Sequence, residues 1–215
     1  MGSLEARILR IPVILLAITI HEFAHGYVAR RCGDDTAERA GRLTFNPFSH
    51  LDIFGALMMF FGPFGWAKPV PVNPSNLRNQ QRDIALVSAA GPASNIILAV
   101  VAGVVYRLIS GAFGDQLHWY IPEFFRLLVF LNLGLSFFNL LPIPPLDGSK
   151  ILMSFLPRQA IGRYMHFVRY APTVFIGLIV TEWVLHIPLI SLILNPLWQP
   201  YLGFWSFIIF GGSVI

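Results

Sequence analysis

Nearly unbroken apolar runs alternate with polar connections along the whole chain. A helix that crosses a bilayer needs about 20 residues at 1.5 Å each. By this measure we predict membrane-spanning helices over residues 8–29, 84–108, 124–141, 170–185 and 187–210. The third and fourth runs are short and prolines interrupt the last, so six spans remain an alternative to five. The pattern predicts an all-α polytopic membrane protein.

One further apolar stretch, residues 51–66, is interrupted by glycines and a proline. It is too short and too broken for a regular span, so we expect it to re-enter the membrane or to lie at its interface. Valines and prolines alternate over the following residues, 68–74. This alternation favours extended backbone, so a short β element at the edge of the fold is predicted there.

The composition supports membrane insertion. Hydrophobic residues make up 55% of the 215 positions and charged residues 12%, whereas soluble domains average about 25% charged residues. A chain of this length cannot bury several 20-residue apolar runs in one soluble core. We therefore expect residues 1–215 to form a single membrane domain, with a catalytic core over 8–150 and C-terminal helices over 151–215.

The distribution of basic residues predicts the orientation. Seven Lys and Arg residues lie between the first two predicted spans and four lie between the third and fourth. These connections should be cytoplasmic, which places the N-terminus outside the cell and the C-terminus in the cytoplasm. The membrane would be the cell membrane, that is, the inner or plasma membrane. Arg7 and Arg10, which precede the first span, favour the opposite orientation more weakly. The basic residues flank apolar runs and form no dense patch, so we predict no nucleic-acid partner.

Three ionisable side chains stand within one turn of the first predicted helix. His21 and His25 are four residues apart, so they lie on the same helix face and can reach one ion. Glu22 completes the pattern H-E-x-x-H, in which the glutamate acts as general base in zinc metallopeptidases. Ionisable groups at membrane depth are costly and mark functional sites. The motif predicts a zinc site that still lacks its third protein ligand.

Asp147 is the favoured third ligand. It follows three prolines that end the third predicted span, and irregular backbone at membrane depth is tolerated where it is buried or lines a cavity. We expect Gly148 to permit a tight turn after Asp147. The alternative role for Asp147 is a helix cap. The remaining histidines are expected at the interface or in solvent, namely His50, His118, His166 and His186. Of these, His186 stands four residues after Glu182, and that pair is expected at the interface.

The second predicted span contains the polar interruption Gly-Pro-Ala-Ser-Asn over residues 91–95. It is either a proline kink with small residues for close helix packing or the support of a functional amide. In the second case Asn95 would donate a hydrogen bond to a developing oxyanion. With the predicted orientation, all three interruptions fall in the cytoplasmic third of the membrane.

Three motifs and their order resemble the site-2 protease family of intramembrane zinc metalloproteases. The matching segments are HEFAH (21–25), GPASN (91–95) and NLLPIPPLDG (139–148), together with GWAKPVPVNP (65–74). The resemblance implies a three-helix catalytic core that binds one zinc ion, with Glu22 as catalytic acid and base. The ligands it implies are His21, His25 and Asp147, and the supporting polar residues are Asn95 and Asn139.

The resemblance also implies a function. Family members cut transmembrane helices of substrate proteins near the cytoplasmic face, and residues 51–74 would receive the unwound substrate. We expect a minimal bacterial or archaeal member without a PDZ or regulatory domain. The chief alternative is an ion transporter or channel that uses the same His, Glu and Asp residues as an ion site; a catalytically silent membrane scaffold is the other.

Overall fold

The computed structural model describes residues 4–52, 54–55 and 67–211. The prediction of an all-helical chain is confirmed for these residues. The helices are α1 (Leu4–Arg31), α2 (Thr36–Arg39), α3 (Gln80–Phe113), α4 (Tyr120–Leu140), α5 (Asp147–Phe155), α6 (Arg158–Leu185) and α7 (Leu189–Phe210). Short 3-10 turns occupy Pro47–Ser49, Pro74–Asn76 and Gly114–Gln116.

Three of the described helices contain segments long and apolar enough to cross a membrane. These segments are Ile8–Arg31, Gln80–Phe113 and Tyr120–Leu140, and they match the first three predicted spans. The fourth and fifth predicted spans fall largely within helices α6 and α7. Neither of these two helices is both long enough and apolar enough to be counted with the three above. The total of five or six spans therefore stays a prediction.

Helix α3 is the centre of the bundle and packs against α1, α4, α5 and α7. The buried core joins apolar side chains of four helices, among them Val13, Ala99, Leu133 and Ile209. At Gly103 a β-carbon would overlap the side chain of Ile209, so the absence of a side chain there lets α7 approach α3. Helices α1 and α4 each pack against α3 and also contact each other.

Most of the interrupted apolar stretch 51–66 lies outside the described residues, so its predicted re-entrant or interfacial course stays a prediction. An antiparallel bridge pairs Leu51 with Ala67, and the backbone N–H of Lys68 donates to His50 O at 2.9 Å. The described residues contain no strand, and 68–73 has no regular secondary structure. The prolines of this segment lack the N–H groups that a strand ladder needs.

Two polar residues outside the motifs differ from or refine the expectation. His50 is fully buried and its Nε2 lies 2.9 Å from Thr44 O, so it is not solvated, and an interfacial position for it stays a prediction. Glu182 accepts hydrogen bonds from the Ile190 N–H at 2.8 Å and the Ser191 hydroxyl at 3.1 Å. It therefore satisfies one orphan backbone N–H and one side-chain hydroxyl in the first turn of α7.

Candidate metal and catalytic site

Three possible metal ligands meet where α1 faces the start of α5. The Nε2 atoms of His21 and His25 are 3.0 Å apart. The Oδ2 atom of Asp147, the first residue of α5, lies 3.3 Å from His21 Nε2 and 3.1 Å from His25 Nε2. All three side chains are buried. The helical spacing in α1 and the break after α4 thus bring distant residues to one point.

The hydrogen bonds behind the two histidines determine which ring nitrogen carries the proton. His25 Nδ1 lies 2.7 Å from Val87 O, and a carbonyl can only accept, so Nδ1 donates. His21 Nδ1 lies 2.6 Å from Asn95 Oδ1. The amide nitrogen of Asn95 donates to Ala17 O at 3.1 Å, which leaves the oxygen facing His21. In neutral rings, the form that binds a metal, both Nε2 atoms therefore present lone pairs to the cluster.

This arrangement fits a zinc ion. Two nitrogen lone pairs and a carboxylate oxygen repel one another at 3.0 to 3.3 Å unless a cation lies between them. Ligands at about 2.0–2.1 Å from zinc in tetrahedral geometry are about 3.3 Å apart, and two histidines with one carboxylate are a common catalytic zinc set. Within the described part of the chain these three residues form the group of His, Cys, Asp or Glu whose ligand atoms all lie within 4.8 Å.

Two glycines make room for the cluster. A β-carbon at Gly91 of α3 would lie 2.6 Å from His21 Nε2 and would also overlap His25 Nε2. A β-carbon at Gly148 would overlap the carbonyl oxygens of Leu140 and Leu141. Gly148 is not among the glycines with positive φ, so our expectation of a tight turn there is corrected. Its role is close approach, which brings the start of α5 under the end of α4.

Glu22 is also buried, and it directly follows His21 in α1. Its Oε2 accepts a hydrogen bond from the backbone N–H of Val70 at 2.8 Å. The Val70 side chain packs close to Gly26, one turn further along α1. The hydrogen bond orients the carboxylate and occupies one of its two oxygens.

The extended segment 68–73 is tied down on both sides of Val70. The Arg42 guanidinium donates to Lys68 O at 2.8 Å. The backbone N–H of Asn73 donates to Asp34 Oδ2 at 2.7 Å. These contacts hold the backbone that touches Glu22, and no sequence pattern indicated them.

Asp34 lies fully buried just after α1. Besides the Asn73 N–H, its carboxylate accepts hydrogen bonds from the Thr36 N–H at 3.1 Å, from the Thr36 hydroxyl, and from the Asn76 amide at 2.9 Å. Burial raises the pKa of Asp34, but these hydrogen bonds outweigh it and the net pKa is lowered. The four donors make the charged form the stable one.

The two asparagines predicted as supporting residues occupy different surroundings. Asn95 is fully buried, and its amide nitrogen already donates to Ala17 O and to Asn132 Oδ1, the latter at 2.7 Å. It has no free N–H for an oxyanion, so the geometry assigns it to His21 instead. Asn139 donates to Leu135 O in its own helix at 3.0 Å, and no described hydrogen bond joins it to the cluster.

Comparisons with known proteins agree with this geometry. The model of Peptidase family M50 matches residues 10–117 and 105–180. The chain is 40% identical to "Putative zinc metalloprotease YwhC" of Bacillus subtilis over 188 residues, which covers 86% of this chain and 83% of that protein. It is 35% identical to "Putative zinc metalloprotease Rip2" of Mycolicibacterium smegmatis over 62% of this chain and 52% of that protein. No solved structure matches.

These matches confirm the resemblance, the enzyme class and the metal that the sequence predicted. The chain is a metalloprotease with zinc as its cofactor, and its apolar helices make it a membrane protein. Because the family model spans most of its length, the chain belongs to Peptidase family M50, the site-2 protease family.

Proposed function

We propose that this protein is an intramembrane protease that hydrolyses peptide bonds in transmembrane segments of other membrane proteins, near the cytoplasmic face of the cell membrane. The observation that carries the proposal is the convergence of three ligand atoms beside a buried glutamate, on helices that can cross a bilayer. His21, His25 and Asp147 hold the zinc ion, and Glu22 is the catalytic acid and base.

Zinc, when bound, supplies Lewis-acid activation of water and of the scissile carbonyl group. Val70 holds Oε2 of Glu22, which leaves Oε1 to act on the reactants. Glu22 takes a proton from the attacking water while the oxygen of that water bonds to the carbonyl carbon. It then returns this proton to the amide nitrogen as the carbon–nitrogen bond breaks. The substrate must be unwound first, because a helical carbonyl is already hydrogen-bonded.

Two features support a site near an aqueous boundary. The Nζ atom of Lys150 pairs with Asp147 Oδ1 at 3.3 Å, and its side chain is 52% exposed. Arg30 and Arg31 end α1, nine residues or about 13 Å of helix beyond His21. Basic residues gather at cytoplasmic membrane surfaces. We therefore place the cluster toward the cytoplasmic side, with α1 entering from outside.

The Glu22→Gln variant tests the proposal. Glutamine keeps the size of the side chain and an oxygen for the Val70 N–H, but it cannot accept the water's proton. In proteoliposomes that contain a peptide with one transmembrane helix, we expect cleavage to fall by about 10² to 10⁴-fold while zinc content stays at the wild-type level. Mass spectrometry of the products and elemental analysis measure the two quantities.

A matched control separates the protease from an ion carrier. His21→Ala should lose both zinc and cleavage. A carrier needs no base beside its ligands, so Glu22→Gln would leave zinc flux into vesicles unchanged if the protein were a transporter. Cleavage at the wild-type rate by Glu22→Gln would overturn the proposed mechanism.

A further inference from the structure

A buried asparagine of α4 is connected to the metal cluster although it contacts no ligand. Asn132 is fully buried, and its Oδ1 accepts a hydrogen bond from the Asn95 amide at 2.7 Å. Its own amide nitrogen donates to Leu128 O, one turn earlier, also at 2.7 Å. The Oδ1 atom of Asn95 in turn accepts a hydrogen bond from His21 Nδ1. Hydrogen bonds therefore run from α4 through α3 to α1.

We propose that Asn132 is a positioning residue, which holds His21 in the orientation and tautomer that bind zinc by acting through Asn95. This inference rests on the proposed role of His21 as a ligand. The outer partners of zinc-bound histidines orient the ring and raise its basicity. Here the outer partner is itself held by a second amide on another helix.

The direction of this series of hydrogen bonds follows from its ends. Leu128 O and Ala17 O are backbone carbonyls, which accept only. Asn132 must therefore turn its nitrogen toward Leu128 and its oxygen toward Asn95. Asn95 then points its nitrogen at both Ala17 and Asn132 and its oxygen at His21. Each amide fixes the next, so the lone pair on Nε2 is held toward the cluster.

The surroundings of Asn132 make a packing role a poor explanation. Its neighbours in α4, Leu128, Val129 and Leu133, are buried in the apolar core. An amide in an apolar, membrane-spanning helix is costly unless it is hydrogen-bonded. Leucine would fill a core position at less cost. The amide of Asn132 is needed there if the α4 partner of Asn95 must accept a hydrogen bond from Asn95 and be held in one orientation by a second hydrogen bond.

The test measures zinc affinity of the purified full chain by chelator competition, together with the absorption spectrum of the Co²⁺-substituted protein. We expect Asn132→Leu to bind zinc about 10- to 100-fold more weakly than wild type and to show an altered Co²⁺ spectrum. Ser136→Ala is the matched control, because Ser136 is equally buried one turn later in α4. It should bind zinc as wild type does.

A second variant guards against misfolding. In Asn132→Thr the hydroxyl can bond to Leu128 O, as Thr19 bonds to Leu15 O in α1 at 2.6 Å, but the shorter side chain loses Asn95. We expect it to fold and to show the same weakened affinity. Zinc affinity within twofold of Ser136→Ala in the folded variants overturns the proposal. The readout needs no substrate, so it stands apart from the outcome of the Glu22→Gln experiment.

Discussion

Two of the buried aspartates, Asp34 and Asp147, have contrasting surroundings. Asp34 faces four hydrogen-bond donors, and its carboxylate is satisfied by protein groups. Asp147 turns Oδ2 toward two histidine nitrogens whose lone pairs point at it. A buried carboxylate among donors stabilises structure, whereas one among acceptors needs a cation. Burial alone does not distinguish the two roles, but the polarity of the neighbouring atoms does.

The largest expected effect comes from removing the acid that faces acceptors. In Asp147→Ala the two Nε2 atoms of the histidines lose their third partner, so we expect zinc content to fall to background and cleavage to be lost. Elemental analysis of the purified protein beside wild type measures this. Full zinc occupancy in the variant would remove Asp147 from the ligand set.

A smaller loss of zinc is expected when the space of the cluster is filled. The new methyl group of Gly91→Ala would lie 2.6 Å from His21 Nε2, so His21 must move from its position. We expect zinc affinity to fall by about 10-fold or more. Gly134→Ala in α4 is the control, because a β-carbon there would meet only Trp198 at 4.0 Å. Equal chelator-competition curves for the two variants would contradict the prediction.

The opposite result is expected for the acid that faces donors. Asp34→Asn places an NH₂ group against a donor, either the Asn73 N–H or the Thr36 N–H, whichever way the amide turns. Leaving a buried donor unsatisfied costs about 1–3 kcal/mol, so the melting temperature should fall. The folded Asp34→Asn protein should still bind zinc at the wild-type level. Zinc loss at unchanged stability would reverse the comparison.

The smallest expected effect is a difference between wild type and Asp34→Asn in how the melting temperature depends on pH. Because the pKa of Asp34 is lowered from its ordinary value of 3.8, its stabilising contribution is complete above that value. The contribution is lost as the pH falls through the lower pKa of the folded state. Below about pH 4, the melting temperature of Asp34→Asn should therefore fall less steeply than that of wild type. Parallel curves would show that Asp34 is not held in its charged form.

The sequence predicted the part of the site that depends on local geometry. An i, i+4 spacing places His21 and His25 on one helix face in any α-helix. The prolines after α4 indicated where regular backbone ends ahead of Asp147. The predicted span over 84–108 lies within α3, Gln80–Phe113, and the all-helical fold followed from the apolar runs. The start of α6 at Arg158 was missed, because its first turns are polar and interrupt the apolar pattern.

Other features needed the packed molecule. The sequence left the role of Asn95 open between a residue of a proline kink and an oxyanion donor, since it does not show where a lone amide points. Its direction depends on carbonyls of α1 and on Asn132 of α4. Val70 reaches Glu22 because Asp34 and Arg42 hold an irregular segment, and a segment without periodicity gives no pattern to interpret.

Composition and the 3.6-residue period are enough to predict the apolar helices, the ligand types and the helix face that carries the histidines. The packing of the helices is needed to establish which nitrogen of each histidine donates to its outer partner, which oxygen of Glu22 is left to act, and how the carboxylate of Asp34 is satisfied. Those outcomes depend on donors and acceptors that distant helices bring together, and hydrogen bonds are decided by distances of a few tenths of an ångström.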